Sequence, residues 1–405
     1  MNYSDDKTNF KRKRRNDQTG STGRRFNNSG NARFKRDFKR KRFSKSKSRG
    51  TGSDFDSENK NGNESEFYRN DYFFETKPSE TIVLDPNPKS IFKNRTPKTR
   101  PIDEYIKKGV VVINKPSGPT SHEIAAYVKQ ILNVNTAGHS GSLDPVVTGV
   151  QPVMIEYATR AVGAIRLSGK EYICILRLHK PVPQSLIKKT LNEFTGSVYQ
   201  MPPVTSAVKR RIRTRKVYYI NVIEISGKDV LIQVGCEAGT YIRKLCHDIG
   251  LALGVGAHMQ ELIRSKAGPF DETHMTTLQE LTDAVYFWKN EKDESLIRKI
   301  ILPMESAFSH LPKITVKDSA VGALSNGAFL AQPGIVSFTT NVEKNQLVAV
   351  FTQSGEIVSL SRSNVDSKDI ENLKSGIVAT PIAVYMKSGE YPNIWKSKSQ
   401  KENEN

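Results

Sequence analysis

The sequence predicts an α+β domain built on a mixed, largely antiparallel sheet, followed by a small all-β module and preceded by a disordered basic arm. Three observations carry this prediction. Between residues 109 and 253, helix-period apolar stripes are inserted among strand-like runs, two of which are joined by a tight turn as a hairpin. From 313 to 385, short strand-like runs are separated by Gly, Pro and Asn turns. Residues 1–50 hold 18 Lys/Arg against four Asp/Glu, interleaved with Gly, Ser and Asn, which leaves too little apolar material to order a chain.

Taken in order, the basic arm gives way at 51–80 to a polar linker of opposite sign, with eight acidic against three basic residues. The chain as a whole carries a net charge of +20, and residues 81–405 alone remain strongly basic, so a polyanionic partner is expected with or without the arm. The arm itself reads either as a nucleic-acid-binding tail or as a solubility or localisation segment. Ordered pattern begins near Ile102. GVVVIN, 109–114, is a β-branched run ended by the prolines and glycine of KPSGPT. A helix follows, capped by Thr120 or Ser121, with Ile124, Val128 and Ile131 or Leu132 on one face. EYICILRL, 171–178, opens a second strand region, and 183–196 is a helix pattern closed by glycine. The runs 217–226 and 229–236 form a hairpin across Gly227 and Lys228. TYIRKLCHDIGLAL, 240–253, is helical, with Ile242, Leu245, Cys246, Ile249 and Leu253 as its apolar stripe. The texture changes after 302–304, and the last residues are polar without periodicity.

No apolar signal region occupies the first thirty residues, and no run approaches the ~20 apolar residues of a membrane span, so an intracellular, soluble protein is expected. Cys174, Cys236 and Cys246 are odd in number and form no C-x-x-C pair. They support neither a disulfide framework nor a zinc ribbon and read as small buried residues.

Chemistry concentrates in GHSGSLDP, 138–145. A serine nucleophile elbow requires G-x-S-x-G between a strand and a helix. Here the second glycine is displaced by one position, a helix precedes and Pro145 follows. A metal site fails too, because His139 and Asp144 lie five apart with no second histidine nearby. Asp144 remains, either as a turn residue accepting backbone N–H bonds or as a reactive carboxylate. A reactive carboxylate needs a cation to keep it ionised and aimed. Arg243 is the candidate, about 110° around its helix from the centre of the apolar stripe, at the edge of the core, unless it is an ordinary solvated flank residue.

Taken together, KPSGPTSHE, GHSGSLDPVVTG, KEY, SAVKRRIRTRKVYY, GTYIRKLCHDIG and AGPF resemble, in order and spacing, the TruB-type pseudouridine synthases. The likeness is to their archaeal and eukaryotic H/ACA guide-RNP branch, the dyskerin-like enzymes, and it leans archaeal. It runs from about Arg100 to about Met386, since LPKITVKDSAVGALSNGAFLAQPGIV resembles that branch's C-terminal PUA domain. Composition marks a disordered arm and linker over 1–80 and a polar tail over 391–405, and between them the resemblance implies a segment packing on the PUA domain over 81–108, a catalytic domain over 109–310 and a PUA RNA-binding domain over 311–390.

It further implies isomerisation of uridine to pseudouridine in rRNA, and in tRNA as a second substrate class, without cofactor or metal. Asp144 aligns with the family's catalytic aspartate, Arg243 with its partner arginine, and Tyr172 with the tyrosine that stacks on the target base. Around the base pocket, His139 aligns with the histidine that helps fill the vacated stack, Ile242 lines the pocket and Lys115 supports the active-site loop. Lys209, Arg210, Arg211, Arg213, Arg215 and Lys216 fall in a basic loop clamping RNA, with Arg264 at the cleft rim. Implied partners are an H/ACA guide RNA, the target RNA and the particle's small accessory proteins, and no membrane. The basic arm departs from archaeal members, which puts the compartment between cytoplasm and nucleolus. Ser142 stands where threonine is usual, and Gln151 where leucine is. A guide-independent tRNA synthase acting on a T-loop uridine and a non-catalytic RNA-binding scaffold are the competing readings.

Overall fold

A computed structural model describes residues 78–92, 96–202, 209–373 and 375–392. Residues 1–77 of the arm and linker expected over 1–80, Val208 of the basic loop and the tail from 393 lie outside the described residues. In chain order the elements begin with β1 (Thr81–Val83), α1 (Ile102–Lys107), β2 (Gly109–Lys115), α2 (Ser121–Leu132), β3 (Ala137–His139), β4 (Thr148–Ile155), α3 (Val162–Leu167) and β5 (Lys170–Leu178). There follow α4 (Gln184–Glu193), β6 (Gly196–Gln200), β7 (Arg213–Ser226), β8 (Asp229–Cys236), α5 (Ile242–Ala252), β9 (Ala257–Ala267), β10 (Phe270–Asp271) and β11 (Met275–Thr276). The chain continues through α6 (Leu278–Tyr286), α7 (Ser295–Ile300), β12 (Ile301–Pro303), β13 (Lys313–Val316), α8 (Asp318–Ser325), β14 (Leu330–Ala331) and β15 (Ile335–Thr339). It closes with β16 (Leu347–Thr352), β17 (Ile357–Ser363), α9 (Ser367–Asn372) and β18 (Ile377–Val384).

Two sheets organise these elements. The larger runs β11-β2-β4-β9-β5-β8-β7-β6, with β3, β10 and β12 as side pairings. It is mixed and largely antiparallel; β11 on β2 and β4 on β9 are its parallel pairings. β2 explains why GVVVIN shows no alternation. Val110 and Val112 enter a core with Met154 and Phe308, while Val111 and Ile113 enter another with Ile124, Val128 and Leu281. A strand buried on both faces selects apolar, β-branched residues at every position. On the far half of the sheet, the α5 stripe of Ile242, Leu245, Cys246, Ile249 and Leu253 packs with Cys174, Leu176, Ile232 and Val234. All three cysteines are buried and free, with the Cys174 and Cys246 sulfurs 3.6 Å apart.

The smaller sheet, β1-β15-β13-β16-β17-β18-β14, holds a core that includes Ile314, Phe338, Val350 and Val358, with α8 and α9 as short helices added to the strand-and-turn pattern. It is not packed alone. Leu347, Phe351, Leu360 and Tyr385 share a core with Met154 and Phe308 of the larger domain. Among the described residues no helix is long and apolar enough to cross a membrane.

Three sequence boundaries change. α4 ends at Glu193, and Gly196 opens β6 instead of closing the helix, because its ladder partner Val217 draws it into the sheet. The basic stretch turns to strand at Arg213, where Gln200 pairs with it, so only 209–212 of its described part is loop. The segment 81–108 also divides. β1 adds to the smaller sheet beside β15, but Tyr105 and Ile106 of α1 pack with Val111 and Ile301 of the larger one.

Candidate functional site

The loop between β3 and β4 carries Asp144, and its backbone is held from below. Lys115, wholly buried, donates from Nζ to the carbonyls of Pro116 (3.0 Å), Pro145 (2.9 Å) and Val147 (2.8 Å). Thr120 is the helix cap: its hydroxyl accepts from the Glu123 N–H, and the Glu123 carboxylate accepts from the Thr120 N–H. That assignment leaves the Ser121 hydroxyl to accept the Leu143 N–H at 2.8 Å, one residue before Asp144. The loop returns through Gly149, whose φ of +102° and close approach to β9 exclude a side chain, since a Cβ there would lie 2.3 Å from the Arg264 carbonyl oxygen.

Above this loop opens a cavity of about 570 Å³, lined by the Asp144 loop, the start of α5 and side chains of β5 and β9. Arg243, in the first turn of α5, ion-pairs with Asp144 across 99 residues of sequence. Both groups are about half exposed. On the sheet side, Tyr172 and Arg264 are cross-strand partners on β5 and β9. Burial pushes the Tyr172 phenol up to about 12, opposed by the positive charge of the adjacent Arg264 guanidinium. Ile242, Met259 and Leu262 contribute apolar wall. The arrangement presents an accessible carboxylate, a cation beside it, and a protonated phenol backed by a second cation around one cavity.

Other expected residues move. Arg264 is 2% exposed, not at a rim; it donates to the Val150 carbonyl (2.7 Å) and the Gln151 amide oxygen (3.1 Å). A residue fully engaged inside the protein is not available to bind RNA phosphates. Lys115 lies under the loop and does not line the cavity; its acceptors are the carbonyls of Pro145 and Val147 in that loop and of Pro116, its neighbour in the chain. His139 sits beside His122, ring centroids 4.6 Å apart, and burial, then His122 and Arg264, push it down to about 4. It is a neutral imidazole at physiological pH. Lys209, Arg210 and Arg211 are exposed, whereas Arg213, Arg215 and Lys216 are half-buried on β7, and Arg215 bonds Glu237 and the Gly239 carbonyl.

Lys170 was not singled out from the sequence, yet it lines the cavity. Its ammonium donates to the carbonyls of Ile165, Arg166 and Ser168, and burial followed by Arg264 lowers it to about 7. The lysine of KEY, facing a short helix that ends on bare carbonyls, is the signal that could have found it. The two sequence departures are placed differently: Ser142 lies exposed on the cavity lining and Gln151 lies wholly buried beneath it.

Comparison with known proteins yields matches along most of the described chain. Residues 129–185 and 179–242 match the TruB family pseudouridylate synthase N-terminal domain, and 243–309 match the tRNA pseudouridylate synthase B C-terminal domain. Residues 312–385 match the PUA domain and 92–125 the DKCLD domain. A Methanosarcina barkeri protein named "Probable tRNA pseudouridine synthase B" is 58% identical over 302 residues, covering 75% of this chain and 89% of its own. A protein of the same name from Thermococcus kodakarensis is 50% identical over 325 residues, covering 79% and 95%. Among solved structures, a Cbf5-Nop10-Gar1 complex aligns at 48% identity and TM-score 0.73 over 78% of this chain and 97% of that one. An H/ACA RNP bound to a substrate RNA containing 2'-deoxyuridine aligns at 46% identity and TM-score 0.72, over 79% and 98%.

Proposed function

We propose, from the premise that this chain belongs to the TruB family of pseudouridylate synthases, that it isomerises uridine to pseudouridine in RNA as the catalytic subunit of an H/ACA guide-RNA particle. The observation that carries this reading is the meeting of Asp144 and Arg243 at the mouth of a cavity floored by Tyr172 and Arg264. The reaction detaches the base from ribose C1′, turns it and rejoins it through carbon. Asp144 acts on the nucleotide while Arg243, ion-paired with it, orients it. Tyr172 stacks on the base, and Arg264 is the charge that would stabilise its phenolate when a proton moves. Ile242, Met259 and Leu262 exclude water around the turning base. Extracting that base from its stack costs a few kcal/mol, which His139, uncharged and beside the loop, helps offset by filling the vacated place.

RNA affinity comes from the basic surface, since phosphate contacts dominate it. Lys209, Arg210 and Arg211 form the exposed part of the clamp, with Arg213, Arg215 and Lys216 stiffening its base on β7. The PUA module over 311–390 grips the guide, and the partners are small accessory proteins of the kind named in the Cbf5-Nop10-Gar1 complex. The archaeal relatives support a cytoplasmic location.

A second reading, a stand-alone tRNA synthase, is favoured by the names of the curated relatives. Purified chain is assayed on unmodified tRNA and, with guide and accessory proteins, on a guide–target pair. Pseudouridine at the guided position supports the first reading. Strong activity on tRNA with none on the guided target sinks it, and an Asp144→Asn variant that still forms product removes the catalytic assignment altogether.

A further inference from the structure

Beneath the cavity, Gln151 of β4 is wholly buried between the two halves of the site. Its amide orientation follows from its neighbours. Arg264 Nη2 lies 3.1 Å from one end of the amide and has no lone pair, so that end must be the oxygen, Oε1. Ser121 Oγ lies 3.1 Å from the same oxygen and already accepts the Leu143 N–H at 2.8 Å, so its own proton is free to point at Oε1. Two donors therefore converge on one acceptor. Nε2 must face the other way, and there it is buried with no hydrogen-bond partner among the described residues. An alkyl side chain would carry no such orphaned donor. A glutamine in this place is explained by what its oxygen holds.

We infer that Gln151 is a positioning residue: through its amide oxygen it fixes Arg264, and through Arg264 the Tyr172 phenol, relative to the loop that carries Asp144. The connection runs by hydrogen bonds from the Leu143 N–H to Ser121, to Gln151 and to Arg264, which is the cross-strand partner of Tyr172 on the β5–β9 ladder. Among the described residues the other hydrogen bond of Arg264 is from its Nε to the Val150 carbonyl, which leaves the plane of the guanidinium free to swing about that bond without Gln151. Gln151 touches neither substrate nor reacting atoms, since it does not line the cavity. The inference rests on reading that cavity as the uridine site.

The test uses the full chain assembled with guide, target and accessory proteins, in single-turnover pseudouridine formation at saturating target. Gln151→Met keeps the volume and removes the acceptor. Gln151→Glu restores the acceptor and drops the orphaned donor. The Met variant is expected to slow conversion about tenfold with target affinity unchanged, and the Glu variant to recover most of the rate, because small misplacements of a catalytic group carry losses of this size. In the free full chain, nitrogen NMR of the arginine guanidinium groups is expected to show faster rotation about the Arg264 Nε–Cζ bond in the Met variant. A Met variant with wild-type rate and wild-type rotation overturns the inference. So does an equal slowing in Met and Glu variants that tracks an equal loss of melting temperature, which would mark Gln151 as packing alone. If wild-type particle forms no pseudouridine at the guided position, the functional reading falls, while the guanidinium rotation still decides whether Gln151 holds Arg264.

Discussion

Two carboxylate–guanidinium clusters in this chain use the same groups for opposite purposes. At the junction of the two sheets, Arg100 is 5% exposed and binds both oxygens of Glu305, at 3.0 and 2.7 Å, and Glu356 at 3.2 Å. At the cavity mouth, Asp144 and Arg243 are 54% and 49% exposed. Burial makes the first cluster a fixed joint, because separating its members would strand charges in a medium that cannot solvate them. Exposure makes the second one weak as a fastener, because water replaces either partner. The Asp144–Arg243 pair therefore contributes little to stability, and what it does contribute is a carboxylate held ready beside a cavity.

The contrast can be broken most sharply at Asp144. Asp144→Asn should lower single-turnover product formation by at least about a thousandfold, as loss of a principal reacting group does, with an unchanged melting temperature; a large drop in melting temperature would show that the pair is structural after all. Arg100→Met should act in reverse, destabilising the fold by about 3–5 kcal/mol in chemical denaturation. Replacing Arg100, Glu305 and Glu356 together by apolar residues should return much of that loss, and if it does not, the joint is more than a charge-burial device.

Lys115 tests an intermediate case, a buried cation serving an exposed loop. Lys115→Met leaves three carbonyls without their donor and is expected to lose about 1–3 kcal/mol together with a fall in turnover; a stability loss at full turnover would separate loop support from activity. On the exposed side, Lys209→Ala with Arg210→Ala and Arg211→Ala should weaken RNA binding and reduce the slope of log affinity against log salt by about two to three, leaving the conversion rate at saturation intact. An unchanged slope removes these residues from the RNA interface.

The smallest effect is expected with pH. His310 is buried, its Nε2 lies 2.9 Å from the Ser168 hydroxyl, and burial, then Lys170, push it down to about 3. Its folded form resists a proton that the unfolded chain accepts below about 6.5. Stability contributed by the neutral ring is thus fully present above pH 6.5 and is lost as pH falls toward 3. Denaturation between pH 7 and 5 should show that decline, and His310→Gln should flatten it; identical slopes would place the proton uptake elsewhere.

Much of this architecture was legible in the residues. The α5 stripe is read directly from helical spacing, and the hairpin from Gly227, whose φ of +60° suits the turn. The same helical angle that put Arg243 at the edge of the core allows it to leave α5 toward Asp144. Arg264 was misplaced for a physical reason. A cation in a strand reads as exposed unless its acceptors are known, and those acceptors, Val150 and Gln151, lie on another strand more than a hundred residues earlier. Lys170 is the same case: its acceptors are backbone carbonyls of 165–168, whose nearness to its ammonium is set by folding.

The sequence by itself determined the periodicities, the glycine and proline punctuation and the order of motifs, and with them the α+β class, the β-rich module and the family. These are local properties, set by spacing along the chain. Tertiary structure alone decided which cations face water and which are engaged inside. It also decided that α1 packs against the larger sheet, and that Gln151 ties the Asp144 loop to Arg264. Those outcomes depend on burial and on partners from distant segments, and both come into being only when the strands pair.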